Sequence, residues 1–251
     1  WANAFIYASE GQPYGVIVGK KLNRTEAGEV IYENGLPTFD DKVSVLGNGN
    51  YDFTLGFRNA FSYKNLSMSV LVDMKFGADV YSMSKMQSHV NGTSKETLEG
   101  REGWYASEQA RLSANVDAKD WTPTGGYVGK GVKAVTDADG NVSYVPNDVY
   151  VDPAKYWQAL QNSSPEPFIC DNSFVKLREV SLSYSCPKKW FVHTPIESVT
   201  LSAYGRNLLL IYSKVDNIDP ESSYNNGNGQ GFEYGSLPSR RTFGFGINVK
   251  F

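Results

Sequence analysis

R-T-F-G-F-G-I-N-V-K-F, residues 241 to 251, alternates without a break between apolar side chains and polar or small ones, and ends on an aromatic. Side chains on a strand point alternately to its two faces, so Phe243, Phe245, Ile247, Val249 and Phe251 share one side. Thr242, Gly244, Gly246, Asn248 and Lys250 share the other. A soluble sandwich strand shows the same alternation, but a closing strand with its aromatic at the carboxyl end is what an outer-membrane barrel presents to lipid.

Four more segments repeat the period of two. In Phe53 to Ser62 the residues Phe53, Leu55, Phe57 and Phe61 line one face, broken only by Asn59. After a turn at Tyr63, Lys64 and Asn65, the residues Leu66, Met68, Val70, Val72, Met74 and Phe76 do the same, so the two segments form an antiparallel hairpin. Ser198 to Tyr212 sets Val199, Leu201 and Ala203 against Thr200, Ser202, Tyr204 and Arg206, with its phase lost in the apolar run Leu208 to Ile211. In the strand expected over Asn172 to Ser185, Val180, Leu182 and Tyr184 fit an apolar face, yet Lys176 and Arg178 share their parity; a bulge or a strand top standing above a bilayer accounts for this.

These strands reach or exceed the roughly 9 to 11 residues that cross a bilayer with tilt, against roughly 5 or 6 in globular sheets. Connections are unequal in the same sense: one tight turn, then long segments over 77–173 and 213–240 rich in Gly, Asn, Asp and Ser. Outer-membrane barrels pair short periplasmic turns with long extracellular loops. With Phe251 at the periplasmic end, counting strands backwards places both long segments outside the cell.

Composition sets limits on function. A net charge of −3 over 251 residues offers no basic stripe for phosphates, which excludes nucleic acid as an expected partner. A mean hydropathy of −0.39 leaves no run of the roughly 18 apolar residues a membrane helix needs. Cys170 and Cys186 flank a strand some 45 Å long at roughly 3.3 Å per residue, beyond the roughly 7 Å that a disulfide spans, so both are expected as free thiols. The chain starts at Trp1 without a leader-like segment, which is expected either after processing or in a piece of a longer protein.

Chemical motifs are sparse. His89 and His193 are the two histidines, far apart in sequence and expected on opposite sides of the membrane, so no histidine-based catalytic or metal site is expected. Asp137-Ala138-Asp139-Gly140-Asn141 has the look of a calcium loop but lacks the downstream bidentate Glu, and reads as an Asp-Gly hairpin turn. Gly47-Asn48-Gly49-Asn50 lacks the Lys and Ser/Thr of a phosphate loop and reads as a turn. Neither a cofactor nor an enzymatic activity follows from these residues.

Several ordered stretches carry a resemblance. F-V-K-L-R-E-V-S-L-S-Y-S-C-P-K-K-W (174–190), S-V-T-L-S-A-Y-G-R-N-L-L (198–209), D-P-E (219–221) and Y-G-S-L-P-S-R-R-T-F-G-F-G-I-N-V-K-F (234–251) resemble the C-terminal end of the SusC/RagA family of TonB-dependent outer-membrane transporters. P-Y-G (13–15), L-G-N-G-N-Y-D-F (46–53) and K-F-G-A-D-V-Y (75–81) precede them in matching order, with Tyr51 standing where the family pattern has Pro. The resemblance implies an all-β fold: an antiparallel transmembrane β-barrel segment, residues 1–251 supplying the C-terminal strands of a 22-stranded barrel. It also implies a plug domain outside this chain, a TonB protein that pulls on that plug, and a SusD-like surface lipoprotein that closes over the barrel. Oligosaccharide or peptide is the implied cargo, and the outer membrane of a Bacteroidetes-type bacterium the implied location. Without the remaining strands the barrel edge stays unpaired, and each unsatisfied backbone group in lipid costs several kcal/mol.

Contacts to cargo are expected from long loops and the polar strand faces. Trp104, Tyr105, Trp121, Tyr224 and Tyr234 are candidates because aromatic faces stack on sugar rings and apolar side chains. Packing of the loops against themselves or the lid is the plainer role for each. Arg206 and Arg58, on polar faces, are candidates to line the lumen, with charge pairing inside the barrel as the alternative. Phe243, Phe245, Ile247, Val249 and Phe251 are expected to face lipid, and Tyr184, Tyr212 and Phe251 to join the interfacial girdle. Two other functions fit the same strands, a passive or adhesive outer-membrane barrel and a secreted β-rich carbohydrate-binding module.

Overall fold

A computed structural model describes residues 3–222 and 229–251. In chain order the strands are β1 (Phe5–Tyr7), β2 (Val16–Leu22), β3 (Ile31–Glu33), β4 (Leu36–Pro37), β5 (Phe39–Asn48), β6 (Phe53–Tyr63), β7 (Leu66–Phe76), β8 (Asp79–Ser82), β9 (Val132–Thr136), β10 (Val142–Pro146), β11 (Ile169–Asp171), β12 (Phe174–Ser185), β13 (Ser198–Ser213), β14 (Phe232–Glu233) and β15 (Thr242–Lys250). Three α-helices, α1 (Met83–Val90), α2 (Arg101–Ser113) and α3 (Pro153–Ser163), lie between β8 and β11. The chain divides into two compact units, one of residues 1–49, 80–170 and 224–235, the other of 50–79, 171–223 and 236–251.

The second unit is a single antiparallel sheet in the order β15-β13-β12-β7-β6. All five of its strands are those the period of two marks out, with bounds shifted by no more than two residues. The β6–β7 hairpin turns at Lys64 and Asn65, and Lys64 takes φ 53°, the left-handed conformation that a two-residue hairpin turn requires. Register then lines up the apolar positions across the sheet: Phe57 faces Val72, Val70 faces Val180, Leu182 faces Ala203, and Ala203 faces Phe245. One face is therefore apolar from β6 to β15, interrupted by Asn59 opposite Val70. Its rings are open, with Phe57 at 56% and Phe245 at 87% exposure.

Register shifts in β12 resolve the ambiguous phase. Leu177 faces Val72 but Glu179 faces Leu71, so Arg178 is the extra residue of a β-bulge. Before it Val175 and Leu177 lie on the apolar face; after it Val180, Leu182 and Tyr184 do. Lys176 and Arg178 thus avoid the apolar face. A matching irregularity on β13 places Asn207 at φ 51°, and another near Ile211 explains why no phase could be read there.

The first unit departs from an all-β expectation, since the long segment after β7 folds into helices as well as short strands. Local chemistry dictates each helix. Ser82 caps α1 by accepting from the Lys85 amide at 3.0 Å, and the buried Glu233 carboxylate takes the Ser84 amide and the Ser82 and Ser84 hydroxyls at the positive end of the helix dipole. Asp152 caps α3 through the Ala154 amide, with Pro153 at the first helical position. Gly100 opens α2 at φ 81°, and an added Cβ there would meet the backbone of Gly126 and Tyr127 at about 2.5 Å, so glycine is required.

The core of this unit collects Ile17, Tyr32, Tyr81, Met86, Tyr127, Tyr156, Trp157, Leu160 and Phe168. Tyr156, Trp157 and Leu160 recur at helical spacing on α3, and each such buried side chain contributes ~1.5–3 kcal/mol. Burial raises the phenol pKa of Tyr156, as it does for Tyr32 and Tyr127, and holds Tyr81 up at about 12. Strands β9 and β10 form a hairpin closed by Asp137, whose carboxylate accepts from the amides of Asp139 and Asn141. That is the Asp-Gly turn expected over 137–141.

Candidate functional site

Two clusters of polar and aromatic side chains stand out, one in each unit. In the five-stranded sheet the polar face carries a set of ions joined across strands. Lys176 is 4% exposed, and its Nζ donates to Asp219 at 2.8 Å, Glu221 at 2.7 Å and the Ser239 hydroxyl at 2.8 Å, which satisfies all three ammonium donors. Arg178, the bulged residue, grips both Glu221 oxygens at 2.5 and 2.9 Å and reaches Asp73 at 2.5 Å and Asn207 at 2.7 Å. Bidentate geometry of this kind is the strong form of an ion pair.

Asp219-Pro220-Glu221 is thereby pinned to the sheet. The Pro220 carbonyl accepts from the Asn172 amide, whose other donor contact is the Tyr51 hydroxyl at 2.9 Å. Tyr51 packs edge-on against Phe174 and beneath the Lys75 ammonium, so its ring has a role of its own where the family pattern has Pro. Burial raises the Asp219 pKa, but hydrogen bonds from Lys176, Ser239 and two backbone amides outweigh this and hold it down at about 2. Glu221 is lowered in the same way, with Arg178 and Lys176 overcoming burial.

Arg206 lies on the same polar face, where Nε donates to Glu179 at 2.7 Å and the guanidinium sits 4.9 Å above the Tyr204 ring. Arg58 is on that face opposite Leu71, with no ion-pair partner among the described residues. Phe243, Phe245, Ile247 and Val249 occupy the apolar side, and Phe251 follows the last strand, 77% exposed. Tyr184 and Tyr212 are on the apolar side through their pairing with Leu201 and Val175.

In the helical unit a cleft of about 370 Å³ opens between α1, α2 and α3. It is lined by His89, Arg101, Trp104, Tyr105, Asp152 and Trp157, among others. Trp104 and Tyr105, two of the aromatic candidates, are brought together here. Trp121 is not: its indole N–H donates to Ser107 on α2 at 3.1 Å. Tyr234 follows β14 at 45% exposure, outside the cleft. Tyr224 lies outside the described residues.

Sequence reading sets His89 aside and singles out neither Arg101 nor Trp157, yet all three line the cleft. His89 is held on both ring nitrogens, by the Lys85 carbonyl and the Glu96 carboxylate at 2.8 Å each, and packs at a tilt of 56° against Trp157 with centroids 4.4 Å apart. Arg101 donates from Nε to the Thr97 carbonyl and from Nη2 to the Gly92 carbonyl and Thr97 hydroxyl. The signal for His89 and Trp157 was present, since each sits at helical spacing with a second buried residue, Met86 and Leu160 respectively. Among the described residues no group of three or more His, Cys, Asp or Glu side chains could hold a metal.

No family model matches the chain. It is 27% identical over 222 residues to TonB-dependent receptor P3 of Formosa agariphila, which covers 86% of the chain and 18% of that protein. With TonB-dependent receptor P26 of the same organism the identity is 29% over 240 residues, 94% of the chain and 20% of the relative. The chain therefore spans about a fifth of the length of these curated relatives. Among solved structures it is similar to the RagAB peptide transporter, with a TM-score of 0.54 at 16% identity over 99% of the chain and 25% of that one. The RagAB peptide importer in its closed-closed state gives 0.55 at 15% identity over the same shares. Sequence and fold together support the resemblance to SusC/RagA-type TonB-dependent transporters.

Proposed function

We propose that this chain is the C-terminal barrel portion of a TonB-dependent transporter that imports oligosaccharides or peptides across an outer membrane. The observation that carries the reading is the two-faced sheet of 9- to 16-residue strands, one side apolar apart from Asn59 and open at its outer strands, the other holding a paired set of charges. Only strands closed into a barrel satisfy their backbone in hydrocarbon, so the free edges of β6 and β15 are completed by further strands of the same transporter. Phe243, Phe245, Ile247 and Val249 then face lipid, and the Lys176 and Arg178 cluster faces the lumen. The segments 77–173 and 213–240 lie on the extracellular side and face a SusD-like lipoprotein, while TonB acts through a plug carried elsewhere in the transporter.

Uptake decides the matter. Cells lacking the gene should fail to accumulate fluorescent oligosaccharides or peptides of one class, and complementation should restore uptake only in the presence of a working TonB. Undiminished uptake in the deletion strain, or restoration without TonB, would refute active import.

A further inference from the structure

We infer that the cleft between α1, α2 and α3 binds a carboxylate attached to a flat or apolar body. The inference deepens the import reading by giving the cargo a charge. A hydrogen-bond donor without an acceptor stands at this cleft. Arg101 uses Nε and Nη2 on carbonyl and hydroxyl oxygens, which leaves Nη1 open, and no carboxylate forms an ion pair with it among the described residues. The Thr97 and Gly92 contacts hold the guanidinium still, so a ligand meets a fixed cation.

Trp157 lines the cleft beside it. It is 8% exposed, and its Nε1–H is buried with no partner among the described residues. His89 adds no free donor, because both its nitrogens are held. Asp152 is the acid that lines the cleft, and it accepts from the Ala154 amide at the positive end of α3. Its remaining oxygen suits a ligand hydroxyl or N–H, while the ligand's own carboxylate belongs at Arg101. Trp104 and Tyr105, the latter 67% exposed, offer faces for a sugar ring or an apolar side chain.

A uronic-acid sugar and a peptide C-terminus share this chemistry, and binding measurements separate them. The protein is purified in detergent with all flanking sequence its gene encodes, and titrated calorimetrically with tetragalacturonate, its methyl ester, tetraalanine and tetraalanine amide. At least one free acid should bind ten or more times more tightly than its neutral counterpart, and the acid that does so identifies the source. Arg101→Gln should lower that affinity about tenfold and abolish the preference for the acid. Should Arg101→Gln fail to fold, Arg101→Lys keeps the charge, loses the fork and should still cost affinity. Equal binding of acid and neutral probes, no binding of either acid, or an acid preference that survives loss of Arg101 would overturn the site. Because equilibrium binding needs no TonB, a failed uptake assay beside intact acid binding refutes import alone.

Discussion

Lys176 is the side chain on which the polar face turns. It is a long, flexible cation on a strand flanked by apolar positions, and it is tolerated there because two carboxylates and a hydroxyl meet its three donors. Replacing it by Met leaves Asp219 and Glu221 facing each other partly desolvated, a change that costs on the order of 3 kcal/mol when one partner of a buried pair is removed. Lys176→Met should therefore lower the temperature at which the five-stranded sheet unfolds in a heat-modifiability gel, and Lys176→Arg should recover part of the loss. Protonation gives an independent handle. Asp219 titrates near 2 when folded, below the roughly 3.9 of an unfolded carboxyl, so its contribution is complete above pH ~4 and is lost as pH falls towards 2. Thermal stability followed from pH 5 to pH 2 should drop across that window, and Asp219→Asn should flatten this part of the curve.

At the scale of the element, β15 shows what a strand sequence can and cannot reveal. Alternation over 241–251 marked the strand and the side of every residue in it, because a period of two is imposed by the backbone and survives whatever surrounds it. Strand β12 resisted the same reading: a bulge inserts one residue and inverts the parity beyond it, and its cause lies in partners more than forty residues away, Glu221 and Asp73 among them. The helices were hidden for another reason. Their caps are partly tertiary, with Glu233 stabilising the start of α1 from 149 residues along the chain. In the cleft, Trp104 and Tyr105 were legible as aromatics of a long loop, whereas Arg101 became visible only once its hydrogen bonds to carbonyl and hydroxyl oxygens were on view. A charge placed on the apolar side tests the proposed lipid contact of the element directly. Phe245→Arg should cost ~2–4 kcal/mol near the bilayer midplane and reduce the folded fraction in outer-membrane preparations, while Gly244→Ser on the opposite side of β15 should be far milder.

For the whole molecule, the division into two units predicts separable behaviour. The aromatic core around Tyr156 and Trp157 is built from residues of the helical unit alone, and the sheet draws its register from its own strands. Replacing residues 84–168 with a short Gly-Ser linker should leave the sheet able to assemble in the membrane, checked by protease resistance and heat-modifiable mobility, while acid-probe binding at Arg101 disappears. Loss of membrane assembly in that deletion would show that the sheet depends on the helical unit after all.

Strands β7 and β12 are neighbours in the sheet yet are separated by ~100 residues of chain. Closing an unstructured loop of that length costs about 4 kcal/mol in chain entropy, by the logarithmic dependence on loop length. The intervening segment leaves and returns through adjacent strands, β8 and β11, so once folded it delivers its two ends side by side. Order of events follows from this geometry: an insertion that folds first acts as a clasp, and the zipping of β12 onto β7 becomes a local step rather than a search across a hundred residues.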